Sequence, residues 1–420
     1  MTTASRPGFI LFGTSLAAAA LIGLSPVPAA LVVGGFALAV LVRTLMRGAI
    51  GWIPFTLIAL YAYALTSAIV LGGADAIGTD PIAWLSGEGR FFIAFWPLIF
   101  FTAFPARAAE THDIGLPLLV LSIAISIPAW LSFSGVYPTF SSHHAAGAVG
   151  AALFIPVYFH LLSRRTVFSA LLAANALVLL LAANSRTALL GVFLAIGIVH
   201  VARRQWRFAV TCLVLAALAL SLLPLALPQH AQRWREAWTP ATLASLTTNF
   251  SAALSAETAA ETIAAWDLAS RVTLEGNANL AIRGYLWGRA AREALRSPLI
   301  GTGFGRFNDL GRIFEPVFAG YVATGATYAN PGVLTAHNTY LHILSELGLA
   351  GALLLAAPLV VIGRTFLGAA RSYWADTGLA ALAALLVMGV TDHTLGAPIF
   401  GLSLAALAGL SYAVLAARPP

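Results

Sequence analysis

The sequence predicts an all-α, polytopic membrane protein with about twelve spanning helices and one large helical segment outside the bilayer. Three observations carry this. Of its 420 residues, 60% are hydrophobic and only 9% charged, with mean hydropathy +0.88, whereas soluble domains carry about 25% charged residues. Apolar runs of about 16 to 23 residues recur along the chain, the length that a hydrocarbon core of roughly 30 Å requires. Arginines fall at alternate ends of these runs, as the positive charge of short cytoplasmic loops demands.

The runs lie near 8–24, 26–42, 49–71, 89–104, 114–131, 145–162, 166–183, 187–201, 208–227, 337–361, 376–393 and 396–416. Arg6 ahead of the first run could mark a secretion signal, but no clear small-residue cleavage pattern follows, so the run reads as the first span. Arg43, Arg47, Arg107, Arg164, Arg165, Arg203, Arg204, Arg207, Arg364, Arg371 and Arg418 mark the cytoplasmic side, which places both termini there. The chain then divides into 1–227 with nine spans, an outward segment 228–336, and 337–420 with three. That outward segment is too long for a structureless loop. Its first part, Gln229 to Arg271, mixes Trp234, Trp238 and Trp266 with Ala and Thr, which suggests short amphipathic helices at the interface. A stronger helix is expected from Asn279 to Arg296, stopped by Ser297-Pro298.

On that helix Arg289, Arg292 and Arg296 share a face and read as a stripe toward solvent or headgroups. Gly301-Thr302-Gly303-Phe304-Gly305 fails the dinucleotide-binding spacing, because Arg306 occupies the last position and no strand precedes it. A tight loop is the simpler reading, with phosphate contact through backbone N–H groups as the lesser one. The tenth span opens on His337, with Asn338, Tyr340 and His342 making its mouth polar. Gly348 follows eleven residues on, and since three helical turns take about 10.8 residues, the two should share a helix face. Glu346, on the opposite face, is the main exception to charges clustering at span ends, explained by a buried pair or by an error in the span limits.

The formal charge of +7 comes from 23 basic residues, all arginine. They are scattered between apolar runs rather than massed on one face, so nucleic acid is not an expected partner. Cys212 is the single cysteine, which excludes disulfide frameworks and Cys-based metal sites. There is no Asp-x-Asp, no His-Glu-x-x-His and no phosphate-binding P-loop, and His143-His144 are adjacent rather than spaced for one face. No metal or cofactor is therefore expected. Arg90, Arg186, Arg283, His337 and Asp392 instead all fall in the outward layer. Arg186 between two apolar runs is either a simple turn or a ligand for an anion near that surface. Several arginines can hold and neutralise a diphosphate. A histidine, with reference pKa about 6.5, can take a proton from an attacking sugar hydroxyl, although His337 could equally cap or snorkel. Asp392 either orients such a base or pairs with an arginine.

At these residues the chain resembles the O-antigen ligase family, within the superfamily that includes O-antigen polymerases and some protein oligosaccharyltransferases. The resemblance rests on His337 with ten residues before Gly348, on Asn184-Ser185-Arg186-Thr187, on Arg283 with Trp287 ahead of Ser297-Pro298-Leu299-Ile300-Gly301-Thr302-Gly303, and on Asp392. It implies a membrane-embedded glycosyltransferase of the GT-C class in a Gram-negative inner membrane. The partners would be glycan carried on undecaprenyl diphosphate and a lipid A-core acceptor, within membrane lipid, at a periplasmic active site. His337, Arg186 and Arg283 would be catalytic, with Arg90, Arg289, Asn338 and Asp392 binding substrate. A polymerase or protein transferase of the same superfamily, and a lipid-linked glycan flippase, are the alternatives.

Overall fold

The computed structural model describes residues 6–21, 27–48, 50–72, 91–104, 120, 123, 143–183, 185–226, 239–258, 260–262, 264–265, 278–308 and 335–417. Among these the regular structure is helical, and no strand occurs. The helices are α1 (Arg6–Leu21), α2 (Val27–Arg47), α3 (Trp52–Gly72), α4 (Phe91–Ala94), α5 (Trp96–Ala103), α6 (His143–Arg164), α7 (Val167–Ala182), α8 (Arg186–Ala202), α9 (Trp206–Ala226), α10 (Pro240–Ser255), α11 (Ala278–Arg296), α12 (Thr339–Gly368) and α13 (Tyr373–Met388). Last comes α14 (Pro398–Ala416), which contains a π-helical turn at Gly401–Ala405. Among the described residues, five helices are both long and apolar enough to cross a bilayer: α2, α3, α6, α12 and α14. The protein is a helical membrane protein.

The expected runs coincide with helices wherever the chain is described, while the fifth, near 114–131, lies outside the described residues apart from 120 and 123. Boundaries moved at the last spans. The eleventh helix ends at Met388 rather than 393, so Asp392 and His393 belong to a loop. The predicted helix from Asn279 to Arg296 is α11, and the region before it contributes α10. Trp234, Trp238 and Trp266 lie outside the described residues.

Small residues set the packing. Gly284 and Gly288, one turn apart on α11, bring it against the backbone of α10, where a Cβ would meet the carbonyl oxygens of Leu246 and Phe250. Gly191 of α8 receives Met388 of α13, and Gly150 of α6 lies on the backbone of Leu180 in α7. The first helix joins the bundle, with Phe12 and Leu16 fully buried and Gly8 against Leu410 of α14.

At one end of the bundle Arg203 ties three elements. Its guanidinium donates to Asp376 in the first turn of α13 at 2.9 Å, and to the carbonyls of Phe366, Leu367 and Ala369 at 2.9, 3.4 and 3.1 Å. Those carbonyls belong to the last turn of α12, where orphan acceptors need donors.

The opposite end of α12 contains a break that the sequence reading did not anticipate. Gly348 adopts φ 61° and ψ −164°, a region open essentially to glycine alone. The freed backbone groups are taken up by the segment after α11. Thr302 and Gly303 N–H donate to Ser345 O and Glu346 O at 2.9 and 3.0 Å, and Leu349 and Ala350 N–H donate to Pro298 O and Leu299 O at 2.9 and 3.0 Å. Tyr63 of α3 donates to Ile300 O and Leu347 O. Non-helical backbone inside an apolar helix is tolerated only with such internal partners. Gly348 and the Ser297–Gly303 segment are therefore two halves of one joint.

Candidate functional site

This joint fixes what surrounds the start of α12. Asn338 caps the helix, its Oδ1 accepting from Leu341 N–H at 3.0 Å while its Nδ2 donates to Val390 O at 2.9 Å. Thr339 N–H donates to Gly389 O, and the Thr339 hydroxyl donates to Asp392 O and accepts from Leu395 N–H. Four hydrogen bonds from two neighbouring residues thus dock the helix mouth onto the 389–395 loop. Between the cap and the buried Ala336 stands His337, in the left-handed region with φ 47°. That conformation is uncommon for a residue with a Cβ, although histidine tolerates it better than most.

His337 is therefore not on the helix at all, and the expected common face with Gly348 does not exist. Its spacing to Gly348 instead measures the distance from the helix mouth to the break. The left-handed turn places its imidazole Nδ1 3.5 Å from Asp392 Oδ1, with the ring about one-third exposed and the carboxylate nearly buried. The two side chains face each other at ion-pair distance, and His337 Nδ1 makes no hydrogen bond.

Behind this pair lies a buried polar cluster. The rings of His342 and His393 meet edge to face at 4.3 Å, and His342 Nε2 lies 3.5 Å from Glu346 Oε2. Glu346 also accepts from Phe307 N–H at 3.1 Å, so the charge inside this helix is a buried pair rather than a lipid-facing group. Burial pushes the His393 imidazole down to about 4, with His337 adding to that and Asp392 opposing it, so His393 is neutral at physiological pH.

Arg186 is the first residue of α8, which Ser185 caps by accepting from Ala188 N–H at 3.2 Å. The next residue, Thr187, accepts at its hydroxyl from that of Thr391 at 3.4 Å, so the start of α8 adjoins the loop that carries Asp392. Nearby α11 packs its Ile282, Tyr285 and Leu286 with Phe307, Ala336 and Leu341, which brings it against the residues flanking His337. Arg283, half-buried, follows Ile282 on that helix. The fold thus brings the chain at His337, Asp392, Arg186 and Arg283 to one end of the bundle. Arg90 lies outside the described residues. The Asn338 amide, expected to bind substrate, is spent on the cap and on Val390.

The arginine stripe also departs from expectation. Arg289 and Arg292 are nearly buried, and with Arg296 they converge on Glu293 at 4.0, 3.2 and 3.5 Å. Together with Arg306 and Glu257 they line a cavity of about 280 Å³. Helix periodicity placed them on one face, but only the packing of residues 257, 258 and 262 and of the 302–307 segment over that face encloses them. Burial lowers the Arg289 pKa, and it lifts the neighbouring Tyr285 phenol to about 12 against the pull of Arg289. The glycine-rich loop offers no phosphate cradle. The N–H groups of Gly301, Thr302, Gly303 and Phe304 are all committed, to Ser297 O, Ser345 O, Glu346 O and the Ser67 hydroxyl.

No curated protein matches the sequence. Residues 168–356 match a family model described as O-antigen ligase, a span that runs from α7 to the middle of α12 and includes Arg186, Arg283 and His337.

Proposed function

From the match of residues 168–356 to the O-antigen ligase family model, we propose that the chain transfers a glycan from undecaprenyl diphosphate to a sugar hydroxyl of a lipid A-core acceptor. The proposed setting is the periplasmic face of a Gram-negative inner membrane, with both termini cytoplasmic, about twelve spans and the GT-C class of fold. The observation that carries this reading is the His337–Asp392 pair, a half-open imidazole whose Nδ1 faces a carboxylate at 3.5 Å.

In this reading the ring proton sits on Nδ1, the side nearer Asp392, and Nε2 is the free base. It takes the proton of the acceptor hydroxyl as that oxygen attacks the anomeric carbon. The bond from this carbon to the diphosphate oxygen breaks on the opposite face, so the configuration inverts, and the electron pair leaves with the diphosphate. Arg186 and Arg283 grip and neutralise that leaving group, since planar guanidinium forks match phosphate oxygens. Arg90 is assigned a lesser contact with the same group. Asp392 holds the imidazole, Asn338 holds the backbone that presents it, and Arg289 supports from the neighbouring cavity.

The test is a reconstituted assay with lipid-linked glycan and acceptor lipid. His337→Ala and Arg186→Ala should both abolish product, and wild-type turnover in both would remove the assignment. A deletion strain separates ligase from polymerase. Loss of every long chain from the core with lipid-linked chains accumulating supports the ligase, and single repeats on the core support the polymerase.

A further inference from the structure

We propose that the cavity behind α11 is a binding site for a sugar-borne phosphate, separate from the His337–Asp392 centre and from the Arg283 face of the same helix. Arg289 and Arg292 are each about nine-tenths buried, and the Nε donors of both lack a hydrogen-bond partner. Buried guanidinium groups are costly unless their donors are used. One carboxylate, Glu293, is shared among three guanidinium groups at 3.2 to 4.0 Å, and their further acceptors are neutral: the Thr262 hydroxyl for Arg292, the Glu257 carbonyl for Arg296 and the Tyr285 phenol for Arg289. Among the described residues of the lining, four arginines accompany two carboxylates, Glu257 and Glu293. A tetrahedral oxyanion with several acceptor oxygens fits this donor set, because arginine forks pair with phosphate bidentately.

The size of the cavity argues for more than a lone ion. Its 280 Å³ equals about nine water molecules at roughly 30 Å³ each, room for a phosphate together with a sugar ring. Its position ties it to the reaction. Phe307 lines the cavity and stands edge-on to His342 at 5.4 Å, and His342 in turn meets His393, next to Asp392. Arg283 and Arg289 are six residues apart, which turns them about 120° from each other around the helix, so one helix serves two sites. That the phosphate belongs to a substrate glycan rests on the transfer reading; that the cavity binds it does not.

Binding is measured on the purified full chain in nanodiscs by calorimetry, with glucose 1-phosphate as probe and glucose and orthophosphate as comparisons. Saturable binding of the sugar phosphate is expected in the wild type, His337→Ala and Arg283→Gln proteins, and about tenfold weaker binding in Arg292→Gln, the loss of one charge-assisted pair. Glu293→Gln should bind more tightly, a gain that mere damage to the fold does not produce. Absence of saturable binding, orthophosphate binding as tightly as the sugar phosphate, or loss in Arg283→Gln with none in Arg292→Gln would overturn the site. A second arm removes phosphate from the acceptor or from the donor glycan. KM for the stripped substrate should rise in the wild type and not in Arg292→Gln, which identifies the carrier; no rise with either would exclude the substrates. An inactive transfer assay beside intact sugar-phosphate binding would count against the transfer reading and leave the cavity standing.

Discussion

Arg203 and Arg292 are the same side chain at opposite ends of the bundle, and the protein treats them in opposite ways. Arg203 meets a carboxylate and three carbonyls that a helix end had left open. Arg292 is as buried, yet it shares one carboxylate with two other arginines and keeps an Nε donor unmatched beside a cavity. The backbone differs inside the helices rather than at the turns. At the Arg203 end Thr166 and Ser372 cap their helices by accepting from Ser169 and Ala375 N–H, and Arg165 and Arg204 stand in the left-handed region just as His337 does at the other end. What the His337 end adds is a break within a helix, at Gly348 of α12. A charge with a full set of partners belongs to stability, while a shared carboxylate and a broken helix gather where chemistry is expected.

The sharpest way to break this contrast is at His337. His337→Ala should cut glycan transfer by about 10²- to 10⁴-fold, the usual contribution of a general base, with wild-type expression and melting. Turnover within a few-fold of wild type would dissolve the distinction between the two ends. Next is Gly348→Ala, where a Cβ would lie 2.5 Å from Gly301 N and from the Leu299 carbonyl carbon, in a conformation that side chains rarely adopt. Strain and overpacking together should destabilise by about 4 kcal/mol, read as a large fall in melting temperature or failure to express.

The opposite end should behave otherwise. Arg203→Ala removes one partner of a nearly buried ion pair and should cost about 3 kcal/mol of stability, while activity per folded molecule stays unchanged. A large loss of activity at intact stability would show that this end reaches the reaction. pH offers a gentler probe. The folded chain refuses a proton at His393 until about pH 4, whereas the unfolded chain accepts one near 6.5. Stability is therefore expected to fall as pH drops from 6.5 to 4, and His393→Gln should flatten that dependence in thermal melts. The smallest change is Asn338→Ala, which removes a helix cap at a cost of about 1–2 kcal/mol. KM for donor and acceptor should move less than kcat if Asn338 positions His337 rather than touching substrate.

How much of this was legible beforehand follows from the range of the forces involved. Hydropathy is local along the chain, so the membrane class, the helices and the shared layer of Arg186, Arg283, His337 and Asp392 could be read without coordinates. Helical periodicity likewise put Arg289, Arg292 and Arg296 on one face. What periodicity cannot see is where a helix stops being regular. The His337 to Gly348 spacing suggested a common face, but the histidine precedes the helix and the glycine interrupts it. The backbone bonds that make the interruption affordable come from Pro298 to Gly303, more than forty residues away in sequence. The charge pairs were equally hidden, since whether Glu346 faced lipid or His342, and whether the arginine stripe faced solvent or a cavity, depended on which segments packed over them. Sequence thus determined what each helix is made of and the side of the bundle on which its polar residues fall. Tertiary structure alone decided which of those residues are satisfied and which are left with donors to spare, because desolvation depends on neighbours that the chain brings from elsewhere.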